Sequence, residues 1–357
     1  MSEVSAQDAA CIYPGPHGEM SSEHFLSEGL GRFSGCEPLE GKVCRPCNNK
    51  IGNETETQFL RTGPISYFRW MIGVEGKNGA PPHPFYRGAG GAPPILAAAR
   101  VAEYPFPILW ETRRGTQECF PLRQIIFDHK LLDSYPVPIF DSMLDNPDRV
   151  RWYLKDNGLE GGKPIFAFAA PDEANKMKNL VTALGGALCG EWFKTEVEPR
   201  TVQIVMKVSV TEAFFRAIAK IAFHYTLKVF PDLVGSESEF AEIKNFIWNG
   251  GGFERFVVHH STAVFGPYYY GYRPNGWCHI LAVRRSHGKL AAFAQFFAGP
   301  HAMPPTYEVR LGSEPRRLWT PPETKAHIFL YPDPDHGIGP EGLMDDLFPA
   351  NLVTVLQ

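Results

Sequence analysis

Ser22-Glu23-His24 and, twenty residues on, Cys44-Arg45-Pro46-Cys47-Asn48-Asn49 bring a base, oxygen donors and a pair of thiols into one short stretch. The histidine can take a proton from an attacking water. An oxygen-ligated divalent cation can neutralise charge building on a phosphate and on its leaving oxygen. Those are the requirements of phosphodiester hydrolysis. The two thiols make a cysteine clip of a kind that can hold metal.

Other constellations carry less. Cys44-Arg45-Pro46-Cys47 at a helix start also fits a redox dithiol, but residues 10 to 45 lack the βαβ context of such enzymes. His259 and His260 are adjacent, and neighbouring strand residues point to opposite faces, so they read as structural. Asp333-Pro334-Asp335 lacks the glycine and terminal glutamate of a calcium loop. Tyr268-Tyr269-Tyr270-Gly271-Tyr272-Arg273 could stack on unpaired bases, although strands favour the same residue types for packing. Arg284, Arg285 and Lys289 could touch phosphate or simply be solvated. Gly88-Ala89-Gly90-Gly91 has no following Gly-Lys-Ser/Thr and reads as loop.

With 357 residues the chain exceeds what one core usually organises, so more than one domain is expected. Charged residues make up 21%, apolar residues 44%, and there are 26 phenylalanines, which argues for packed cores and against disorder. Net charge is -4 and the pI near 6.3, so no overall basic field draws in nucleic acid. Any grip on DNA has to come from local patches or from the later domain. No run of eighteen apolar residues occurs, so neither a transmembrane helix nor a membrane partner is expected. Residues 1 to 10 are polar with two acids, unlike a signal peptide. A cytoplasmic location follows, where clustered cysteines hold metal or do chemistry more often than they form disulfides.

The elements that must position the site are these. Residues 10 to 36, rich in Gly, Pro and Ser, predict short strands and loops. A helix is expected from near Pro46 to about Leu60, weakened at Gly52. The apolar stretch Ile65 to Val74 precedes a Gly/Pro-dense linker from Gly79 to Pro94. Helices are hinted at Pro147 to Asp156 and Pro171 to Leu184. Alternation from Val202 to Val210 predicts a strand. Thr211 is placed to cap a helix with Phe214, Ile218, Ile221, Tyr225 and Val229 on one face. A further helix from Ser238 to Trp248 ends at Gly250-Gly251-Gly252. Strands are expected around Phe256 to Val264, Cys278 to Arg285, Leu290 to Phe297 and Tyr307 to Leu311, with a hairpin turn at Ser286 to Lys289. The fold class is α+β, divided into residues 1–62, a helix and linker over 63–100, and a larger α+β domain with antiparallel sheet over 101–357.

Cys11-Ile12-Tyr13, Ser22-Glu23-His24, Gly29-Leu30-Gly31, Val43-Cys44-x-x-Cys47-Asn48 and Gly52 resemble the HNH endonuclease family over about residues 10 to 62. The resemblance implies a ββα-metal fold and hydrolysis of phosphodiester bonds in nucleic acid, with DNA as the expected substrate. It makes His24 the general base and Glu23 a ligand of catalytic Mg²⁺ or Mn²⁺. Asn48 is the first choice for the amide ligand, and Asn49 is the alternative. It also implies a structural zinc. Pro14 stands where the family has a second cysteine, so His17 could complete a site with Cys11, Cys44 and Cys47, and Cys36 is another candidate. The family's middle asparagine is absent around Leu39 to Val43. The alternative reading is a non-catalytic, zinc-ribbon-like module binding nucleic acid or protein through a degenerate HNH site.

Overall fold

The first strands build a hairpin with an insertion. β1 (Met20–Glu23) pairs antiparallel with β3 (Leu39–Cys44), and between them lies the two-residue β2 (Phe33–Ser34). The structure is a computed structural model describing residues 11–75, 79, 83–85, 95–99, 105–116, 118–129, 133–187, 205–208, 210–261, 277–286, 288–299, 304–315, 324–331 and 342–346. The β1–β3 register shifts between Ser21 and Glu23, where Gly41 takes φ +65. One class of bulge places a residue at positive φ, which glycine adopts without a Cβ penalty. Its effect is to re-aim the end of β1.

From Cys44 the chain enters α1 (Arg45–Ile51), with proline in its first turn where no N–H is missed. The single helix expected to about Leu60 is interrupted by a π-helical turn over Gly52–Glu56 before α2 (Thr57–Arg61) and α3 (Gly63–Ile72). Ile51, Thr55 and Phe59 are all fully buried. A spacing of four drifts about 40° per step on a regular α-helix. The wider π turn takes up that drift and keeps the three on one face.

The chain divides into two units, one of residues 1–69, 74–81 and 210–357 and the other of residues 70–73 and 82–209. In this division the N-terminal segment shares its unit with residues 210–357. The second unit holds a four-stranded sheet, of β4 (Leu96–Ala99), β5 (Ile108–Thr112), β6 (Cys119–Pro121) and the later β10 (Val205–Lys207). It also holds a three-stranded sheet of β7 (Gln124–His129), β8 (Asp133–Pro138) and β9 (Lys163–Phe168). The short helix α4 (Asp141–Leu144), α5 (Pro147–Asp156) and α6 (Ala174–Ala183) bury Val150, Leu154, Met177 and Leu180 against Ile125, Phe127 and Val137. α5 and α6 fall where the sequence hinted at helices. Asn146 caps α5 through its side chain.

In the first unit α7 (Glu212–Val229) is the axis. The sequence predicts one apolar face, but nearly every residue from Phe214 to Leu227 is buried. A helix covered all round is an interior helix, and α7 touches β3, the π turn and α2 as well as the main sheet. After α8 (Ala241–Asn249) come β11 (Val257–His260), β12 (Cys278–Ser286), β13 (Lys289–Ala298), β14 (Thr306–Ser313), β15 (Thr324–Leu330) and β16 (Gly342–Asp346). Their order in the sheet is β11-β14-β13-β12-β15-β16-β2, so the N-terminal β2 adds an edge strand, parallel to β16. The β12–β13 hairpin turns at Ser286 and Lys289 as expected. Gly79–Pro94, the start of the Val202–Val210 strand, Tyr268–Arg273 and Asp333, Asp335 and His336 lie wholly or largely outside the described residues.

Aromatic packing ties the N-terminal segment to this sheet. Phe59 meets Phe214 and Phe296 with ring centroids 5.3 Å away in both cases, and Phe25 meets Tyr225 at 5.7 Å and Phe329 at 6.0 Å. His279 on β12 accepts from the Phe297 N–H at Nδ1 (3.1 Å), which leaves Nε2 to donate to the Leu30 carbonyl (3.1 Å). Phe297 is at φ 57, the one non-glycine at positive φ among the described residues.

Two predictions follow from this packing. Phe59→Ala should cost about 3–5 kcal/mol in urea denaturation; a loss below about 1 kcal/mol would mean the N-terminal segment is not part of the core. Burial holds the His279 imidazole down at about 4, against a smaller opposing pull from Leu30. A base depressed in the folded state keeps its stabilisation above the unfolded value near 6.5 and loses it as pH falls toward 4. Stability should therefore drop by about 3 kcal/mol from this group across that window. A flat profile between those limits would exclude a neutral His279.

Candidate functional site

The start of α1 gathers four metal-binding side chains. Sγ of Cys11, Cys44 and Cys47 and a ring nitrogen of His17 all lie within 4.8 Å of one another. Cys44 ends β3 and caps α1, Cys47 is one turn on, and residues 11–17 cross over them with the Pro16 carbonyl 3.6 Å from Cys44 Sγ and 3.8 Å from Cys47 Sγ. Gly15 is required at this crossing, since a Cβ there would sit 2.4 Å from Trp248 and 2.8 Å from Cys47 Sγ.

Three thiols and an imidazole suit tetrahedral zinc in a structural site, and the residues fit that metal. His17, not Cys36, completes the set. Cys36 lies elsewhere, its thiol pushed up to about 11 by burial despite Lys228 nearby. Burial acts to raise Cys44 as well, but the Cys47 N–H and thiol, His17 and Cys11 outweigh it and bring Cys44 down to about 7. Cys47 is pushed up to about 12 by burial and by its neighbouring thiols. Cys44, at the helix N-terminus, is thus the more acidic of the two thiols.

The residues expected to do chemistry are divided. Glu23 points inward and is buried at 4% exposure, whereas the His24 side chain is 41% exposed with Nε2 3.8 Å from Glu28. Phe25 is inward again, fully buried. Alternation at the end of a strand sends neighbours to opposite sides, so Glu23 and His24 do not face a common spot. Asn48 is half-buried, donates to Ser21 Oγ at 3.4 Å, and its hydrogen bonding lowers the Glu23 carboxyl. Asn49 is exposed. Of the two asparagines, Asn48 is the one brought to Glu23.

What sequence reading missed lies on α7. The Lys220 ammonium bonds both Glu23 and Glu56, and the side chains are 2%, 5% and 18% exposed. One turn further along, His224 sits with Nδ1 3.8 Å from Glu23 Oε1 and Nε2 2.8 Å from the Tyr13 hydroxyl. Burial raises Glu23, partly offset by Lys220. Burial acts to lower Lys220, but Glu56 and Glu23 prevail and the net direction is upward, so it stays an ammonium. Burial, reinforced by Lys220, keeps His224 well below its usual value and neutral. The only available signal was Lys220 and His224 at i, i+4 in an otherwise apolar helix.

Mg²⁺ or Mn²⁺ on Glu23 and Asn48 does not fit this arrangement. A dication would have to share Glu23 with a buried ammonium, and their repulsion is strong where water is excluded. Lys220 holds the carboxylate on which the sequence reading expected the cation.

The remaining candidates are accounted for by local contacts. His260 bonds Glu308 at 3.0 Å while His259 packs near Tyr307, on opposite sides of β11. Arg285 is buried on Glu314 and not presented to phosphate. Among the described residues no helix is long and apolar enough to cross a membrane.

No protein-family model, no curated protein and no solved structure matches this chain.

The cluster predicts about one zinc per chain by metal analysis. Cys44→Ser should remove it and free the thiols to titrate with a thiol reagent. Full zinc content in that variant would exclude the four-residue site.

Proposed function

We propose that residues 11–61 are a zinc-fastened ββα module of the HNH type that engages nucleic acid, DNA first, without cutting it in this folded state. The observation that carries the reading is the set of four ligand atoms within 4.8 Å where the β1–β3 pair meets α1. Cys11, Cys44 and Cys47 were expected to gather there from the resemblance, with His17 in the place left by Pro14. The absence of cutting is supported by Lys220, which neutralises the carboxylate that a catalytic cation would need.

The partner class comes from the resemblance, and the acidic balance of the chain makes the contact local. Arg32 and Arg45, with side chains 64% and 62% exposed, are on the same module as His24, each beside an acid, Glu28 at 3.7 Å and Glu19 at 3.1 Å, that phosphate would have to displace. Such groups act on phosphate by charge, with a salt-dependent affinity. The second reading is an endonuclease with His24 as base, favoured by the nearness of Asn48 to Glu23 and by the partly open His24 imidazole.

One experiment separates them. The zinc-loaded chain is mixed with duplex and with single-stranded DNA at low salt, with Mg²⁺ or Mn²⁺ and with or without chelator. Retarded, intact DNA is the expected outcome, weakened by Arg45→Glu. Failure to retard either DNA overturns the binding reading. Chelator-sensitive nicking that disappears in His24→Ala establishes the endonuclease instead.

A further inference from the structure

We infer that Glu23 and Glu56 form a divalent-cation site whose place is taken by the chain's own Lys220 ammonium. The inference deepens the ββα reading above, and its test does not depend on nucleic acid.

The geometry begins with convergence from separate elements. Glu23 ends β1, Glu56 closes the π turn, and Lys220 and His224 come from α7. Two carboxylates face a single ammonium, so a formal negative charge is left over in a buried place. Burying unbalanced charge is costly. A dication would balance both carboxylates, whereas one lysine does not.

The donor set is that of a metal site. The two carboxylates offer hard oxygen ligands that suit Mg²⁺ or Mn²⁺. A further, independent sign is His224. Its ring is fully buried, and Nδ1 has no hydrogen-bond partner while lying 3.8 Å from Glu23 Oε1. Tyr13 anchors the other nitrogen at 2.8 Å, which fixes the ring and leaves Nδ1 facing the carboxylate. Buried polar atoms are rarely left without partners. A ligand at Glu23 would give this one something to face.

Lysine can hold the place because an ammonium is compact and offers several donors on a flexible stem. It also differs from a metal ion in being tied to α7. The helix that fills the site is the one packed against both the ββα segment and the main sheet, so the site cannot empty without moving the axis of the unit or replacing residue 220.

The test uses the zinc-loaded full chain and Mn²⁺ alone, with free Mn²⁺ followed by electron paramagnetic resonance. Wild type should take up no Mn²⁺ at this site below millimolar concentration. Lys220→Met keeps the length of the stem without the charge. It should bind one Mn²⁺ roughly ten-fold or more tightly than wild type, and Lys220→Met with Glu23→Gln should lose that gain. Equal affinity in wild type and Lys220→Met overturns the inference, as does a new site that survives Glu23→Gln.

Zinc content and circular dichroism report whether Lys220→Met folds. If it does not, Mn²⁺ during refolding should restore the wild-type spectrum and Mn²⁺ with Glu23→Gln should not; absence of rescue overturns the inference. Mn²⁺ uptake by Lys220→Met with no gain of DNA cleavage counts against the endonuclease reading and leaves the cation site standing.

Discussion

Lys220 between Glu23 and Glu56 is the contact on which the first unit depends. Three ionisable groups are withdrawn from water there, and such a cluster persists only while every member keeps its partner. Removing one member of a buried ionic pair typically costs about 3–5 kcal/mol, because the other is left charged and unpaired. The constraint reaches far along the chain, since residues 23, 56 and 220 must all arrive together. It fixes the face α7 turns toward the N-terminal segment, the end of β1 and the phase of the π turn.

The other contacts of the segment act in the same direction. Phe25 and Phe59 enter the core on either side of the ionic cluster, and Arg216 on α7 bonds the Ile247 and Trp248 carbonyls of α8 together with Glu54 of the π turn. The zinc-type cluster fastens the opposite end, where residues 11–17 cross α1. A segment of this size has little apolar area of its own and gains stability from such fastenings. Here it gains as much from being enclosed, and β2 extends that enclosure by joining the edge of the seven-stranded sheet.

Much of the local structure was legible. Pro46 in the first turn of α1 and Asn146 before Pro147 announced helix starts, and Ser286 to Lys289 announced a hairpin, because these depend on backbone preferences within a few residues. The cysteine and histidine cluster was legible, with His17 as the residue to complete it and Cys36 as another candidate; the crossing of residues 11–17 over α1 brings His17 in. The π turn was visible only as a weak point at Gly52. Its cause is the demand that Ile51, Thr55 and Phe59 share a face against α7, which no window of sequence contains.

The sequence by itself determined the α+β composition and the ligand types near α1. Local patterning and spacing suffice for those. Only the tertiary structure decided that Glu23 faces a lysine, that His24 turns the other way, and that the N-terminal segment and residues 210–357 make one unit. Glu23 and Lys220 are 197 positions apart, and whether a carboxylate meets water, metal or ammonium is settled by what the rest of the chain packs against it.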